Sequence, residues 1–295
     1  MKKILITGGH GFTGIHACKY FRQQGYRVIS ARRQGKIGSD EMRCDMTNKE
    51  EVDQMLLAVR PDYILHLAGK NHAGDSWDNS EMYMKTNVDG TLHLLESARS
   101  ICPQARILVI GSALEVCLAH GKPLHPYGYS KTMQTSLSMA WYHLYHMNVV
   151  VAKPPNLIGP GPSPGVSALF ARTIVRGERE GEALLTINST SLPRTFLDVR
   201  DAVRAYEDIL INGEAGKVYE IEGGHRCTLE DLANMYKDIA CCPVIIQKRK
   251  MEEEKRDILP ERNQLFGNAE QKWTIVPNYP IKQSLIDTVD FFRGC

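Results

Sequence analysis

The sequence predicts an α/β fold with a doubly wound parallel sheet and a smaller, discontinuous C-terminal lobe, and three observations support this prediction. The apolar run Lys3–Thr7 breaks into a glycine-rich turn, and a helical pattern follows from Phe12 to about Gln24. Apolar runs and helical segments of roughly 10–20 residues then alternate along the chain. The apolar runs lack polar alternation, which is typical of strands covered on both faces. This order implies right-handed crossovers and a parallel sheet.

The remaining elements of the sheet follow in order. A second strand is expected over Arg27–Ala31, and a third ends at Cys44-Asp45 before a helix over Lys49–Val59. Arg60-Pro61-Asp62 then separates that helix from the next apolar run. Further strands are predicted at 63–69, 106–112 and 149–153, and further helices at 79–100 and 127–146.

Two domains are expected. The segment from Pro154 to Pro162 contains six prolines and glycines and forms a rigid connection out of the sheet, and the periodicity becomes irregular after it. We therefore predict a dinucleotide-binding domain at 1–160 and a mainly substrate-binding lobe at 161–295. A helical pattern from Asp198 to Leu210 assigns residues of about 195–215 to the first domain as well.

The glycine-rich turn predicts a dinucleotide site. Gly9-x-Gly11-x-x-Gly14 has the spacing of the Rossmann fingerprint, in which glycines permit a tight turn, close approach to a pyrophosphate and close packing of helix on strand. The pyrophosphate would lie at the positive N-terminus of the first helix. The cofactor contacts expected from this segment are Gly8, Gly11, Phe12, Thr13 and Gly14.

Arg32 and Arg33 predict which dinucleotide is bound. In this fold an acidic residue about 20 positions after the glycines accepts the ribose hydroxyls of NAD, whereas an arginine accommodates the 2′-phosphate of NADP. Two arginines and no carboxylate follow the second predicted strand. A guanidinium suits a phosphate dianion, so NADP(H) is preferred and NAD(H) stays possible. The alternative is a solvated basic loop.

Composition excludes several classes of function. The formal net charge of the 295 residues is +2, which argues against nucleic acid or an anionic membrane as the main partner. No apolar run reaches spanning length and the chain starts directly with a strand, so a cytoplasmic protein is expected. The eight cysteines form no C-x-x-C pair and the ten histidines no H-E-x-x-H spacing. We predict buried thiols and no metal.

A candidate catalytic set consists of Ser112, Tyr127 and Lys131. Tyr127 and Lys131 are four residues apart at the start of a predicted helix, so their side chains share one face. Ser112 ends the preceding strand, at the edge of the sheet where ligands bind. The lysine ammonium is expected to lower the pKa of the phenol so that it exchanges a proton with a carbonyl or alcohol oxygen. The alternative is a buried tyrosine and a surface lysine.

Taken together, the motifs resemble a known family. The motifs are Thr7-Gly8-x-x-Gly11-x-x-Gly14, Asp45, His66-Leu67-Ala68, Asn87-Val88-x-Gly90-Thr91, Ser112, Tyr127-x-x-x-Lys131, Pro154-x-Asn156 and Arg194-x-Phe196-x-x-Val199-x-Asp201. With them the chain resembles the extended short-chain dehydrogenases/reductases of the NAD-dependent epimerase/dehydratase family, and within that family the GDP-4-keto-6-deoxy-mannose reductases.

The resemblance implies further site residues and an oligomeric state. Asn87 would support the active site, and Asn156 and Arg194 would contact a sugar nucleotide together with Ser112. A homodimer is implied through the helices that begin near Asn79 and Tyr127. The further cofactor contacts are Asp45, Met46, Leu67, Ala68, Gly69, Tyr127, Lys131 and Pro154.

Leu114 limits which reactions of the family are expected for this chain. The sugar 4,6-dehydratases of the family resemble one another in carrying Glu two residues after the active-site Ser or Thr, and an apolar side chain there cannot move a proton. We predict NADPH-dependent reduction of the 4-keto group of a nucleotide-linked 4-keto-6-deoxy hexose, GDP-linked by resemblance, with Tyr127 as proton donor. A nucleotide-sugar 4-epimerase with tightly bound NAD is the alternative. Val116-Cys117 and the short loop that follows depart from the family pattern and keep open a catalytically weak NADP(H)-binding or scaffold protein.

Overall fold

A computed structural model describes residues 1–35, 38–116, 125–188, 192–249 and 270–295. These residues divide into two compact units. The larger comprises 1–154, 203–221 and 270–274, and the smaller comprises 155–202, 222–249 and 275–295. The boundary expected near residue 160 falls inside the smaller unit, because Asn156–Ile158 pairs with a strand of that unit.

An eight-stranded sheet forms the centre of the larger unit. The strand order is β13-β10-β6-β5-β4-β1-β2-β3, and every neighbouring pair from β10 to β3 is parallel. The predicted doubly wound sheet is therefore confirmed. Its strands are β1 (Lys3–Thr7), β2 (Arg27–Arg32), β3 (Glu41–Arg43), β4 (Tyr63–His66), β5 (Arg106–Ile110), β6 (Val149–Lys153), β10 (Val218–Glu222) and β13 (Glu270–Thr274).

Helices connect these strands, and local signals fix several of their ends. Asn48 caps the second helix by accepting from the N–H groups of Glu50 and Glu51. His125 caps the fifth helix through the N–H of Gly128, and a proline occupies its first turn. The helices are α1 (Phe12–Gln23), α2 (Lys49–Val59), α3 (Ser80–Met84), α4 (Gly90–Ile101), α5 (Pro126–Tyr145) and α7 (Val199–Asn212).

The smaller unit has its own core and two small sheets. The first has the strand order β11-β9-β7 and the second pairs β12 with β8. Buried side chains such as Phe170, Ile174 and Leu232 pack between these sheets and the neighbouring helices. Its elements are β7 (Asn156–Ile158), α6 (Val166–Glu180), β8 (Ala183–Asn188), β9 (Arg194–Asp198), β11 (His225–Cys227), α8 (Leu229–Lys237), β12 (Val244–Arg249) and α9 (Ile281–Arg293).

Three strand ends and one helix differ from the sequence-based prediction. The strands predicted to reach residues 69 and 112 end at His66 and Ile110, because side chains replace the strand ladder beyond them: Thr7 Oγ1 accepts from the N–H of Ala68. The helix predicted over 79–100 is interrupted by a π-helical turn at Lys85–Asp89. The third strand ends at Arg43 rather than at residues 44–45.

Some expectations fall on parts of the chain outside the described residues. These are the shortened loop after Val116, including Cys117, and the part of the predicted substrate-binding lobe at 250–269.

The topology defines where a ligand can bind in the larger unit. From β1 the chain proceeds through β2 and β3 on one side, and β4 then starts the other half of the sheet beside β1. The carboxyl ends of β1 and β4 therefore border the crevice at which doubly wound sheets bind their ligands.

Candidate active site

The glycine turn closes tightly after β1. Gly8 has a φ of +70°, and its carbonyl accepts from the N–H of Gly11 at 2.9 Å. A Cβ at Gly14 would overlap the Gly8 carbonyl oxygen and approach Gly9 Cα to 2.7 Å. A Cβ at Gly8 would lie 2.8 Å from the N of Ala68 at the end of β4. The turn thus holds both α1 and the end of β4 against its backbone.

The start of α1 fits the diphosphate of a dinucleotide. Gly11 is the N-cap and, within the described residues, no side chain caps this end. The first N–H groups of the helix, on Phe12, Thr13 and Gly14, have no acceptor within the helix, and Gly11 beside them is exposed. They are therefore available to bind an anion. Phe12 itself is buried beneath the turn and Thr13 is half-buried.

The end of β2 carries a charge cluster that sequence reasoning missed. Arg32 Nη1 lies 3.6 Å from Glu41 Oε2, and His10 Nε2 lies 2.8 Å from Glu41 Oε1. Arg32 Nε also donates to the carbonyl of Gln34 at 2.6 Å, whereas Arg33 is exposed. A carboxylate is therefore present near the predicted phosphate-binding arginine. Glu41 is 18 residues beyond the end of α1 in the chain, so only the β2–β3 pairing shows that it lies near Arg32.

The predicted catalytic residues come together in the structure. Ser112 follows β5, and Tyr127 and Lys131 lie in the first turns of α5; each of the three is 8% exposed. Ser112 and Tyr127 lie close enough for the serine hydroxyl to lower the pKa of the phenol. The Tyr127 ring stacks on His125, with 5.8 Å between centroids and 15° between planes. The same histidine that caps α5 thus also orients the phenol.

The protonation state of Tyr127 differs from the expected one. Burial raises the pKa of this phenol to about 12, although the Ser112 hydroxyl opposes the rise. The expected lowering by Lys131 was wrong, because the ammonium is engaged elsewhere: Nζ donates to the Ile110 carbonyl at 2.5 Å and to Gln134 Oε1. Burial also lowers the pKa of Lys131 to about 8. At neutral pH the site therefore holds a protonated phenol beside an ammonium.

A buried chain of hydrogen bonds connects Lys131 to the glycine turn. From Gln134 the chain continues to Thr91 Oγ1 at 2.8 Å, to His66 Nε2 at 3.0 Å, and from His66 Nδ1 to Thr7 Oγ1 at 2.8 Å. Because Thr91 donates to the Asn87 carbonyl, its oxygen must accept from His66 Nε2–H. Burial and the charge of Lys131 lower the pKa of His66 to about 3, which keeps the ring neutral.

The remaining predicted residues of the larger unit lie around this chain. The side chain of Asn87 joins the backbone of Lys70 to Ser130 Oγ of α5. Gly69 packs against Asn87, since a Cβ there would lie 2.9 Å from Asn87 Oδ1. Leu67 is half-buried and Pro154 accepts from the N–H of Ala113. Asp45 accepts from Thr47, and the Met46 side chain packs in the hydrophobic core.

The predicted substrate residues lie together in the smaller unit. Asn156 is on β7, where it pairs in register with Phe196 of β9, and its Nδ2 donates to the Thr195 carbonyl at 3.1 Å. Arg194 begins β9 and is half-buried. One small sheet therefore positions both side chains.

Comparison with known proteins identifies the family of this chain. Residues 4–221 match the NAD dependent epimerase/dehydratase family. The chain belongs to this family. It is accordingly an oxidoreductase of the short-chain dehydrogenase/reductase type that binds a nicotinamide dinucleotide.

Relatives within the family differ in their reactions. The chain is 29% identical to GDP-6-deoxy-D-mannose reductase of Pseudomonas aeruginosa, over 96% of this chain and 95% of the relative. It is 28% identical to dTDP-glucose 4,6-dehydratase of Neisseria meningitidis, over 76% and 72% of the two chains. The structure of RMD from Pseudomonas aeruginosa complexed with NADPH superimposes with a TM-score of 0.78 at 24% identity and covers 100% and 99% of the two chains. This likeness confirms the Rossmann-type family fold.

The family site contains buried polar residues that the motifs did not predict. Glu115 and Gln134 were missed as functional neighbours, and both contact a residue of the candidate set. Glu115 stood within an apolar segment three residues after Ser112, which was the one available signal of a buried carboxylate.

In the described ranges, no helix is both long enough and apolar enough to cross a bilayer.

Proposed function

We propose that this protein is an NADPH-dependent reductase of the 4-keto group of a nucleotide-linked 4-keto-6-deoxy hexose, most closely suited to a GDP-linked one. The observation that carries the proposal is a protonated, buried Tyr127 beside Ser112 and Lys131, with the apolar Leu114 in place of a second acid. The likeness to the Pseudomonas aeruginosa reductase over nearly the whole of both chains supports it.

Each residue of the candidate set has a separate task in a reduction. Bound NADPH supplies the hydride that reduces the carbonyl carbon. Ser112 hydrogen-bonds the carbonyl oxygen, and Tyr127 donates its phenolic proton to that oxygen as negative charge develops there. Lys131 remains cationic and holds the ribose. Burial of all three strengthens these electrostatic interactions.

The protonation states favour reduction over the other reactions of the family. Reduction needs a proton donor, and a phenol whose pKa burial raises to about 12 is a donor at neutral pH. Dehydration also needs an acid or base at the neighbouring carbon. Leu114 provides none, and the Glu115 carboxylate is buried and accepts from the Ser112 N–H instead of facing the site. Asn156 and Arg194 are proposed to bind the sugar nucleotide, with Arg194 on its diphosphate.

The direct test measures cofactor binding and then turnover. Purified protein is titrated with NADPH and NADH, and oxidation of the preferred cofactor is followed with GDP-, UDP- and dTDP-linked 4-keto-6-deoxy hexoses. We expect NADPH to bind more tightly and to be consumed with the GDP-linked ketone. NAD retained through purification without net oxidation would instead identify a 4-epimerase. Binding without turnover of any ketone would identify a cofactor-binding protein.

Cofactor preference depends on the pairing of Arg32 with Glu41. We expect Arg32→Ser to weaken NADPH binding by roughly tenfold or more and to change NADH binding little, because it removes the cation proposed to bind the 2′-phosphate. Glu41→Gln should have the opposite effect on NADPH, since it releases Arg32 from a competing carboxylate. Fluorescence titration of both cofactors measures both variants. Equal losses of NADPH and NADH affinity in Arg32→Ser would contradict a role in phosphate recognition.

A further inference from the structure

Glu115 is a buried carboxylate directly behind the candidate catalytic residues. It lies three residues after Ser112, and its side chain is 1% exposed. Gly111 leaves the room for it, because a Cβ at Gly111 would overlap Glu115 Oε1. The site is therefore shaped to admit a carboxylate at a place where burial makes a charge costly.

One oxygen of Glu115 fixes the backbone that carries Ser112. Oε1 accepts from the N–H of Ser112 at 2.8 Å and from Thr135 Oγ1 of α5 at 3.0 Å. These bonds join the end of β5 to the helix that carries Tyr127 and Lys131. The Ser112 hydroxyl thereby keeps a fixed position relative to the phenol.

Two lysines and a second carboxylate lie near Glu115. Its Oε2 lies 3.2 Å from Lys153 Nζ, which lies 2.6 Å from Glu270 Oε1. Lys131 is held nearby, because its Nζ donates to the Ile110 carbonyl, two residues before the Ser112 N–H that Glu115 accepts. His66 of β4 also interacts with the Lys131 charge, and its ring is neutral at neutral pH.

The charge of Glu115 acts on the pKa values of both lysines. Burial raises the pKa of Glu115, and the attraction of Lys153 and the Ser112 hydrogen bond oppose the rise. Burial acts to lower the pKa of Lys153, but Glu115 and Glu270 outweigh it and raise that pKa. Burial lowers the pKa of Lys131 to about 8, and the charge of Glu115 limits this lowering. Without that charge, Lys131 would lose its proton at a lower pH.

We infer that Glu115 is a positioning residue of the proposed reductase site, which fixes Ser112 through one oxygen and keeps Lys131 cationic through its charge. The inference rests on the proposed function for its role in turnover. Its effect on Lys131 is measurable without any sugar, because Lys131 is also the proposed ribose ligand.

The test is the pH dependence of NADPH affinity in Glu115→Gln. The amide oxygen can still accept from Ser112 and Thr135, so the substitution removes the charge and keeps the shape. In the wild type, affinity should fall as the pH rises through the pKa of Lys131. In Glu115→Gln this fall should move to lower pH by about one unit, which corresponds to roughly tenfold weaker binding at the upper end. An unshifted profile in folded Glu115→Gln would overturn the inference.

Two further variants separate charge from packing. Thr135→Val removes an uncharged hydrogen bond to the same oxygen and should leave the pH profile in place. Glu115→Asp keeps the charge but is too short to hold the Ser112 N–H, so kcat should fall while the pH profile of binding stays. If Glu115→Gln does not fold, Glu115→Asp still tests whether Glu115 fixes Ser112, through the expected fall in kcat. A shift in Glu115→Asp or Thr135→Val equal to that in Glu115→Gln would overturn the role of the charge. Absence of turnover with every ketone would refute the reductase and leave these binding results valid.

Discussion

Replacing Tyr127 by phenylalanine is expected to lower kcat/KM for the nucleotide-linked ketone by roughly 10²–10⁴-fold. The phenylalanine ring preserves the stacking on His125 and the packing of the buried site, but it has no proton to donate. Stopped-flow or steady-state oxidation of NADPH measures the loss. NADPH affinity should change by no more than a few fold, because the ring and Lys131 remain.

Tyr129→Phe is the matched control for this experiment. Tyr129 lies on the same helix two residues away and is half-buried, so the substitution removes one hydroxyl from α5 without touching the candidate set. We expect its turnover to equal that of the wild type. Full activity in Tyr127→Phe would show that another group supplies the proton.

Gly14→Ala is expected to have the largest effect on the fold. The added Cβ would overlap the Gly8 carbonyl oxygen and lie 2.7 Å from both Gly9 Cα and Gly9 C, and none of these backbone atoms can rotate away. Helix α1 would have to separate from the turn, at a cost of roughly 3 kcal/mol in the free energy of unfolding. Urea denaturation measures this loss, and NADPH binding should be lost with it.

Gly11→Ala distinguishes packing of the turn from contact with the cofactor. Its Cβ would meet the Gly8 carbonyl oxygen at 3.3 Å, and Gly11 has an ordinary φ of −71°. Stability should therefore fall by about 1 kcal/mol, because alanine is a poorer N-cap residue than glycine. NADPH affinity should still fall, because the new methyl group occupies the exposed surface at the start of α1. If Gly14→Ala proved as stable as Gly11→Ala, the close packing of the turn would not be what requires glycine.

Sequence reasoning succeeded where the determining signals are local. The apolar run of β6 and the helix α2 have the predicted bounds, because hydrophobic periodicity, a cap and a following proline all lie within a few residues. The end of β4 was misplaced, because Thr7 on another strand takes up the N–H of Ala68. No local pattern contains that hydrogen bond.

The same distinction explains the candidate site. Ser112, Tyr127 and Lys131 were predictable from a motif and from the order of strands, and the structure brings them together. Glu41 and Glu115 were not, since their roles depend on ion pairs between residues distant in the chain. The direction of the Tyr127 pKa shift was also not predictable, because it depends on the degree of burial and on which acceptor holds the Lys131 ammonium.

The buried chain from Thr7 through His66, Thr91 and Gln134 to Lys131 has a consequence for how the protein can vary. Each bond in it has a fixed direction, because the donor or acceptor role of each side chain is set by its other hydrogen bonds. A substitution at one position leaves a buried partner without a hydrogen bond, whereas several coordinated substitutions can restore a complete chain. In a library randomised at one position at a time, selection would return the parent residue. In a library randomised at His66, Thr91 and Gln134 together, selection would return only those combinations of residues that form a complete chain of hydrogen bonds.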